Sequence, residues 1–155
     1  MKFDKTISRE IALQGIYQDI VGTPRESITK LSWVDEVFKE EMEYRNKEFI
    51  LNYSKKILET YFSKKEKVEE LFKKFYTKNQ ETISTIDKSI LFLGITMILL
   101  NDTSYKVVID EIVNISKSYG STNTVYKMVN KFIDTLIKIQ NITESEHTKH
   151  HKEIL

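Results

Sequence analysis

His147, His150 and His151 are the first side chains whose types and spacing could do chemistry. At i, i+3 and i+4 they could hold a metal from one face of a helix. Their segment has no apolar stripe to anchor such a helix and no carboxylate placed to orient the rings, so it reads as a solvated tail. Asp110 and Glu111 form an acid pair of the sort that acid–base catalysis uses. Successive helix residues point about 100° apart, so these two would not converge on one substrate. They read instead as a solvated face or a cap partner. The chain has no Cys, which removes disulfides, thiolate metal sites and Cys nucleophiles together and fits a reducing compartment. No Gly-rich phosphate loop, Gly-x-Ser-x-Gly elbow or His-Glu-x-x-His occurs. We expect no catalytic residue, no metal and no cofactor, and a function exercised by binding other macromolecules.

Binding surface is then the question. The formal net charge of +1 argues neither for nor against nucleic acid, so any basic surface must be local. Lys55, Lys56, Lys64, Lys65, Lys67, Lys73, Lys74 and Lys78 crowd one stretch, interleaved with Glu59, Glu66, Glu69 and Glu70. Mixed charges of this kind usually form a solvated helix face. Lys2, Lys5 and Arg9 are sparser, but they lie where a frayed arm would meet a helix, a common geometry for contacting a nucleic-acid backbone.

The elements that must position these groups are helices. Apolar residues recur at helical spacing nearly throughout, and four Gly and one Pro leave few breaks. Leu13, Ile16, Tyr17 and Ile20 mark a first helix that should stop near Gly22 and Pro24. Three capping boxes, Ser32 to Asp35, Ser63 to Glu66 and Ser84 to Asp87, should open later helices. A third helix should run from about Tyr44 to Phe62, with Phe49, Ile50, Tyr53, Ile57 and Tyr61 as its stripe. Ile86 to Leu100 is apolar all round and reads as the buried central strut; Gly94 within it implies close approach of a neighbouring helix. Tyr105 to Tyr119 should be a sixth helix ending at Gly120 as a left-handed cap. The last should begin near Thr122 to Thr124, with Phe75 earlier in the chain assigned to a core stripe. We expect an all-α fold of about seven helices: one domain over residues 1–142 and a polar, mobile tail over 143–155. Met1 to Glu10 lack the apolar core of a signal peptide, and the run Ile90 to Leu100 is too short to span a bilayer. A cytoplasmic protein without a membrane partner is expected.

Two blocks carry a resemblance. Ser8-Arg9-Glu10-Ile11-Ala12-Leu13-Gln14-Gly15-Ile16-Tyr17 resembles the opening helix of the NusB transcription antitermination family, Arg-Glu-x-Ala-Leu-Gln-Ala-Leu-Tyr. Ile86-Asp87-Lys88-Ser89-Ile90-Leu91-Phe92-Leu93-Gly94 is similar to that family's Ile-Asp-Arg-Ala-Ile-Leu-Arg-Leu-Gly. Lys127-Met128-Val129-Asn130 stands where the family has Lys-Phe-Val-Asn. The likeness covers both ends of the chain and weakens between about Val21 and Thr82.

The resemblance implies two helical subdomains packed across each other. It also implies a factor that binds boxA RNA together with the small ribosomal protein NusE, joins the RNA polymerase antitermination complex and promotes transcription of ribosomal RNA operons. On this reading RNA is held by Lys2, Lys5 and Arg9 and by the start of the last helix, Thr124, Lys127 and Met128. The protein partner docks near Tyr17 and Asp87. Two departures matter. The family's arginine-rich arm is reduced here to Lys2, Lys5 and Arg9, and its base-stacking aromatic is Met128, with Tyr126 an imperfect substitute. They motivate an alternative: a helical protein-interaction domain that keeps the ribosomal partner but lacks specific RNA binding.

Overall fold

The computed structural model describes residues 2–79 and 81–154, with side chains described as far as Gln140. Among the described residues there are nine α-helices. Six are long: α1 (Asp4–Ile20), α5 (Lys47–Ser63), α6 (Lys65–Phe75), α7 (Thr85–Leu100), α8 (Tyr105–Tyr119) and α9 (Val125–Ile154). Three are short: α2 (Arg25–Thr29), α3 (Val34–Val37) and α4 (Lys39–Met42).

Helix α7 is the strut that its composition predicts. Ile90, Leu91, Phe92, Leu93, Ile95, Met97 and Ile98 are all buried, and removing each such side chain from water contributes about 1.5–3 kcal/mol. One side of α7 packs on α1 and α5, the other on α8 and α9, while α6 leans on both α7 and α9. This makes two helical layers sharing one central member. At Gly94 an added Cβ would lie 2.5 Å from Ile133 Cδ1 of α9. The glycine therefore marks the close approach expected of it.

The caps divide into those that form and those that do not. Ser84 accepts the Asp87 amide hydrogen at 3.2 Å and opens α7; Ser104 does the same for α8 through Val107 at 3.4 Å. The expected box at Ser32 is absent: α3 begins at Val34 behind Trp33, with no side-chain cap. Leu31, just before it, takes a left-handed turn (φ 58°), and the expected second helix is broken into two short ones, α3 and α4, with α2 an additional short helix before it. The box at Ser63 also fails, because Ser63 is the last residue of α5 and donates back to the Thr60 carbonyl at 3.1 Å. Helix α5 starts at Lys47, capped by the Asn46 side chain, rather than near Tyr44. Gly120 is extended (φ −59°, ψ 155°) and not left-handed; the left-handed cap is Asn101, at the end of α7. The expected tail over 143–155, with its three histidines, lies outside the residues whose side chains are described.

Candidate nucleic-acid interface

Lys2, Lys5 and Arg9 line a single cleft of about 830 Å³, together with Phe3, Arg45, Phe49, Val107 and Glu111. The helix reaches back to Asp4, so Lys5 and Arg9 stand on α1 itself rather than on a frayed arm. Arg9 is only 2% exposed. Its Nη1 pairs with Glu111 Oε1 at 3.2 Å, and the Thr6 hydroxyl donates to the same oxygen at 2.9 Å. The guanidinium also lies 5.9 Å from the Tyr53 ring centre, where Lys5 Nζ approaches at 5.3 Å.

Other cations here are partnered too, Lys2 with Glu10 at 2.7 Å and Arg45 with Asp4 at 3.0 Å. Asp102 sits at the cleft's edge. Burial pushes its carboxyl up, but hydrogen bonds from Thr103, Lys56 and Tyr53 outweigh that and hold it below the usual range. The cleft thus combines exposed apolar surface, with Phe3 79% and Phe49 39% exposed, and charges that largely cancel. Phe49, expected on the apolar stripe of α5, instead stacks on Tyr53, rings 6.0 Å apart, at the protein surface. Sequence reasoning did not single out Phe3 or Arg45.

A second cleft, about 1030 Å³, takes in Thr124, Lys127 and Met128 from the start of α9 and Asp87 from the start of α7. It also takes in Lys74 and Phe75 from the end of α6, Tyr76 and Lys78 from the link that follows, and Lys131 and Phe132 from α9. The lysine-rich stretch is therefore two things. Lys55, Lys56, Lys65 and Lys67 pair with Glu59, Asp102, Asp19 and Glu70 on the solvated face that mixed charge predicts. Lys74 and Lys78 instead share a cleft with Lys127. Among the described residues, no carboxylate lies within ion-pair distance of Lys78, Lys127 or Lys131.

Asp87 is 5% exposed, and its carboxylate turns across the α8–α9 link. Oδ1 accepts the Ser121 amide hydrogen at 2.9 Å, and Oδ2 accepts the Ser121 hydroxyl. The capping box is thus half formed: Ser84 caps the helix while Asp87 fixes the loop that leads into α9. Burial, and then the charge of Asp87, raises the Tyr76 hydroxyl. Tyr126 does not join Met128 in this cleft; its ring carries Lys117 Nζ at 4.9 Å.

Two sets of polar contacts, joined by the backbone between Tyr119 and Ser121, lie between the two clefts. Lys2 pairs with Glu10, Glu10 Oε2 accepts the Tyr119 hydroxyl at 2.9 Å, and two residues later Ser121 is held by Asp87. Tyr17 stands apart. It is half-buried on α1 and lines neither cleft. Near it, Asp19 accepts the Tyr61 hydroxyl at 2.6 Å and pairs with Lys65 at 2.9 Å.

Of the acid pair that could have suggested catalysis, Glu111 is committed to Arg9 and Thr6 while Asp110 is exposed. No group of three or more His, Asp or Glu among the described residues could hold a metal ion. No helix among them is long and apolar enough to cross a membrane.

A family model described as the NusB family matches residues 6–138. The chain is 27% identical over 143 residues to a transcription antitermination protein NusB of Aromatoleum aromaticum, covering 88% of this chain and 90% of that protein. It is 31% identical over 134 residues to the protein of that name in Dehalococcoides mccartyi, covering 84% and 87%. The one in Shewanella denitrificans is 29% identical over 87 residues, 56% of this chain and 65% of that protein.

Proposed function

The chain belongs to the NusB family, and on that premise we propose that it is a transcription antitermination factor working in the cytoplasm by binding, without catalysis. It binds boxA-type single-stranded RNA together with the ribosomal protein NusE, as part of an RNA polymerase antitermination complex on ribosomal RNA operons. The observation that carries this reading is the shared cleft: Lys127, Met128 and Thr124 at the start of α9 stand with Lys74 and Lys78 in one concave, cationic surface. A single RNA strand gains about 0.7 of a salt-slope unit per neutralised phosphate, so a cleft with four lysines supports a slope of about three. The ribosomal protein docks on the α1 face that carries Tyr17, while Asp87, buried beside the lysine cleft, acts by holding the loop that enters α9.

A second reading keeps the protein partner and drops RNA specificity. Arg9 favours it, since the one arginine left at the start of α1 is buried against Glu111. Fluorescence anisotropy separates the two. A boxA-like strand and a scrambled control are titrated with and without the ribosomal partner. The main reading expects the partner to sharpen preference for the boxA-like strand; equal binding of both strands in its presence leaves the protein-only reading.

A further inference from the structure

Helix α6 ends on Lys74-Phe75, and the chain then turns through Tyr76-Thr77-Lys78 into the second cleft. Helical spacing places Phe75 on the same face as Val68, Leu71 and Phe72, and those three are buried. Phe75 is only partly so, and lines the cleft wall with Met128. Its ring carries Lys74 Nζ at 5.4 Å, the pairing of aromatic face and cation that single-stranded nucleic-acid sites use for a base and its phosphate. Tyr76, which lines the same cleft, is held by stacking on the buried Phe72 with rings 5.1 Å apart. Among the described residues Asp87 is the one carboxylate lining this cleft, and both of its oxygens are occupied by Ser121. The surface offered to a ligand is therefore aromatic and cationic.

We propose that Phe75, flanked by Lys74 and Lys78, is a base-stacking platform for single-stranded RNA, taking over from α6 the aromatic role that Met128 does not fill from α9. This rests on the RNA-binding reading above and adds to it an RNA contact made by the end of α6. One base lies on the Phe75 ring with Met128 across the cleft. The adjoining phosphates meet Lys74 and Lys78 on one wall and Lys127 and Lys131 on the other.

The test uses the full chain with a short, boxA-like single strand. Phe75→Leu keeps an apolar group of similar size and should weaken binding roughly tenfold, while Phe75→Tyr should hold it near wild type. Lys74→Ala with Lys78→Ala should lower the salt slope by about 1.4; Lys55→Ala with Lys67→Ala, on the paired face, should leave it unchanged. Thermal unfolding of each variant guards against misfolding, and the Leu and Tyr variants are compared at matched stability. If wild type binds RNA but Phe75→Leu binds equally well, this inference fails alone. If wild type binds no RNA, the reading beneath it fails as well. If the variants lose the ribosomal partner while keeping RNA, the wall is a protein-docking surface and the inference is overturned.

Discussion

Tyr119 donates its hydroxyl to Glu10 at 2.9 Å, joining the last turn of α8 to the second turn of α1. Burial, the bond to Glu10 and the charges of Glu10 and Glu41 push this phenol up to about 12 from its ordinary 10. A folded-state value above the unfolded one means that the contribution is fully present below pH 10 and lost as pH rises through about 12. The stability difference between wild type and Tyr119→Phe, from thermal unfolding, should therefore shrink between pH 10 and 12. A difference independent of pH in that window would show that burial and the bond to Glu10 do not hold Tyr119 in its protonated form.

Arg9 is expected to act as a structural cation. Glu111→Gln leaves the guanidinium charge buried without its counter-ion, and breaking a pair of this burial should cost about 3 kcal/mol in urea unfolding. Arg9→Ala should lose stability and RNA affinity together. Loss of RNA affinity at unchanged stability would instead make Arg9 a direct RNA contact.

Asp87 fixes the entry to α9. Asp87→Ala strands both the Ser121 amide and its hydroxyl, at about 1–3 kcal/mol, and should speed hydrogen exchange at residues 120–124. Asp87→Asn retains one acceptor for the amide and should fall between. Equal exchange in all three proteins would separate this carboxylate from the loop.

Gly94→Ala forces a methyl against Ile133 and should destabilise by about 1–3 kcal/mol. Adding Ile133→Val should recover part of that loss, because the two substitutions share one contact. Strictly additive effects would contradict the packing described.

Met128→Phe places an aromatic opposite Phe75 and should raise affinity for a single RNA strand severalfold, within the roughly 1–3 kcal/mol that a stacked base provides. No gain would place the bases elsewhere.

What was legible in the sequence is local. Helix α8 follows from apolar spacing at Val108, Ile112 and Ile115, all buried, and α7 from an apolar run interrupted at Gly94 and Thr96. A capping-box pattern states only that a cap is possible. At Ser63 there is no turn for it to open, since α6 begins two residues later, and at Ser32 the chain is already committed to a left-handed turn at Leu31. The site divides in the same way. Thr124, Lys127 and Met128, which the resemblance assigns to RNA, share a cleft with Asp87, which it assigns with Tyr17 to the protein partner. Lys74, Phe75 and Lys78 join them by the packing of α6 on α9, for which no spacing rule exists. The burial of Arg9 could not be read either, because its counter-ion lies on α8.

Photocrosslinking of a thiouridine-containing boxA-like strand, read by peptide mass spectrometry, tests the central claim most directly. The account predicts crosslinks in two peptides distant in sequence, one spanning residues 74–78 and one spanning 122–131, both competed away by unlabelled strand. Crosslinks confined to the paired lysine face of residues 55–67, or absent from both peptides, would contradict it.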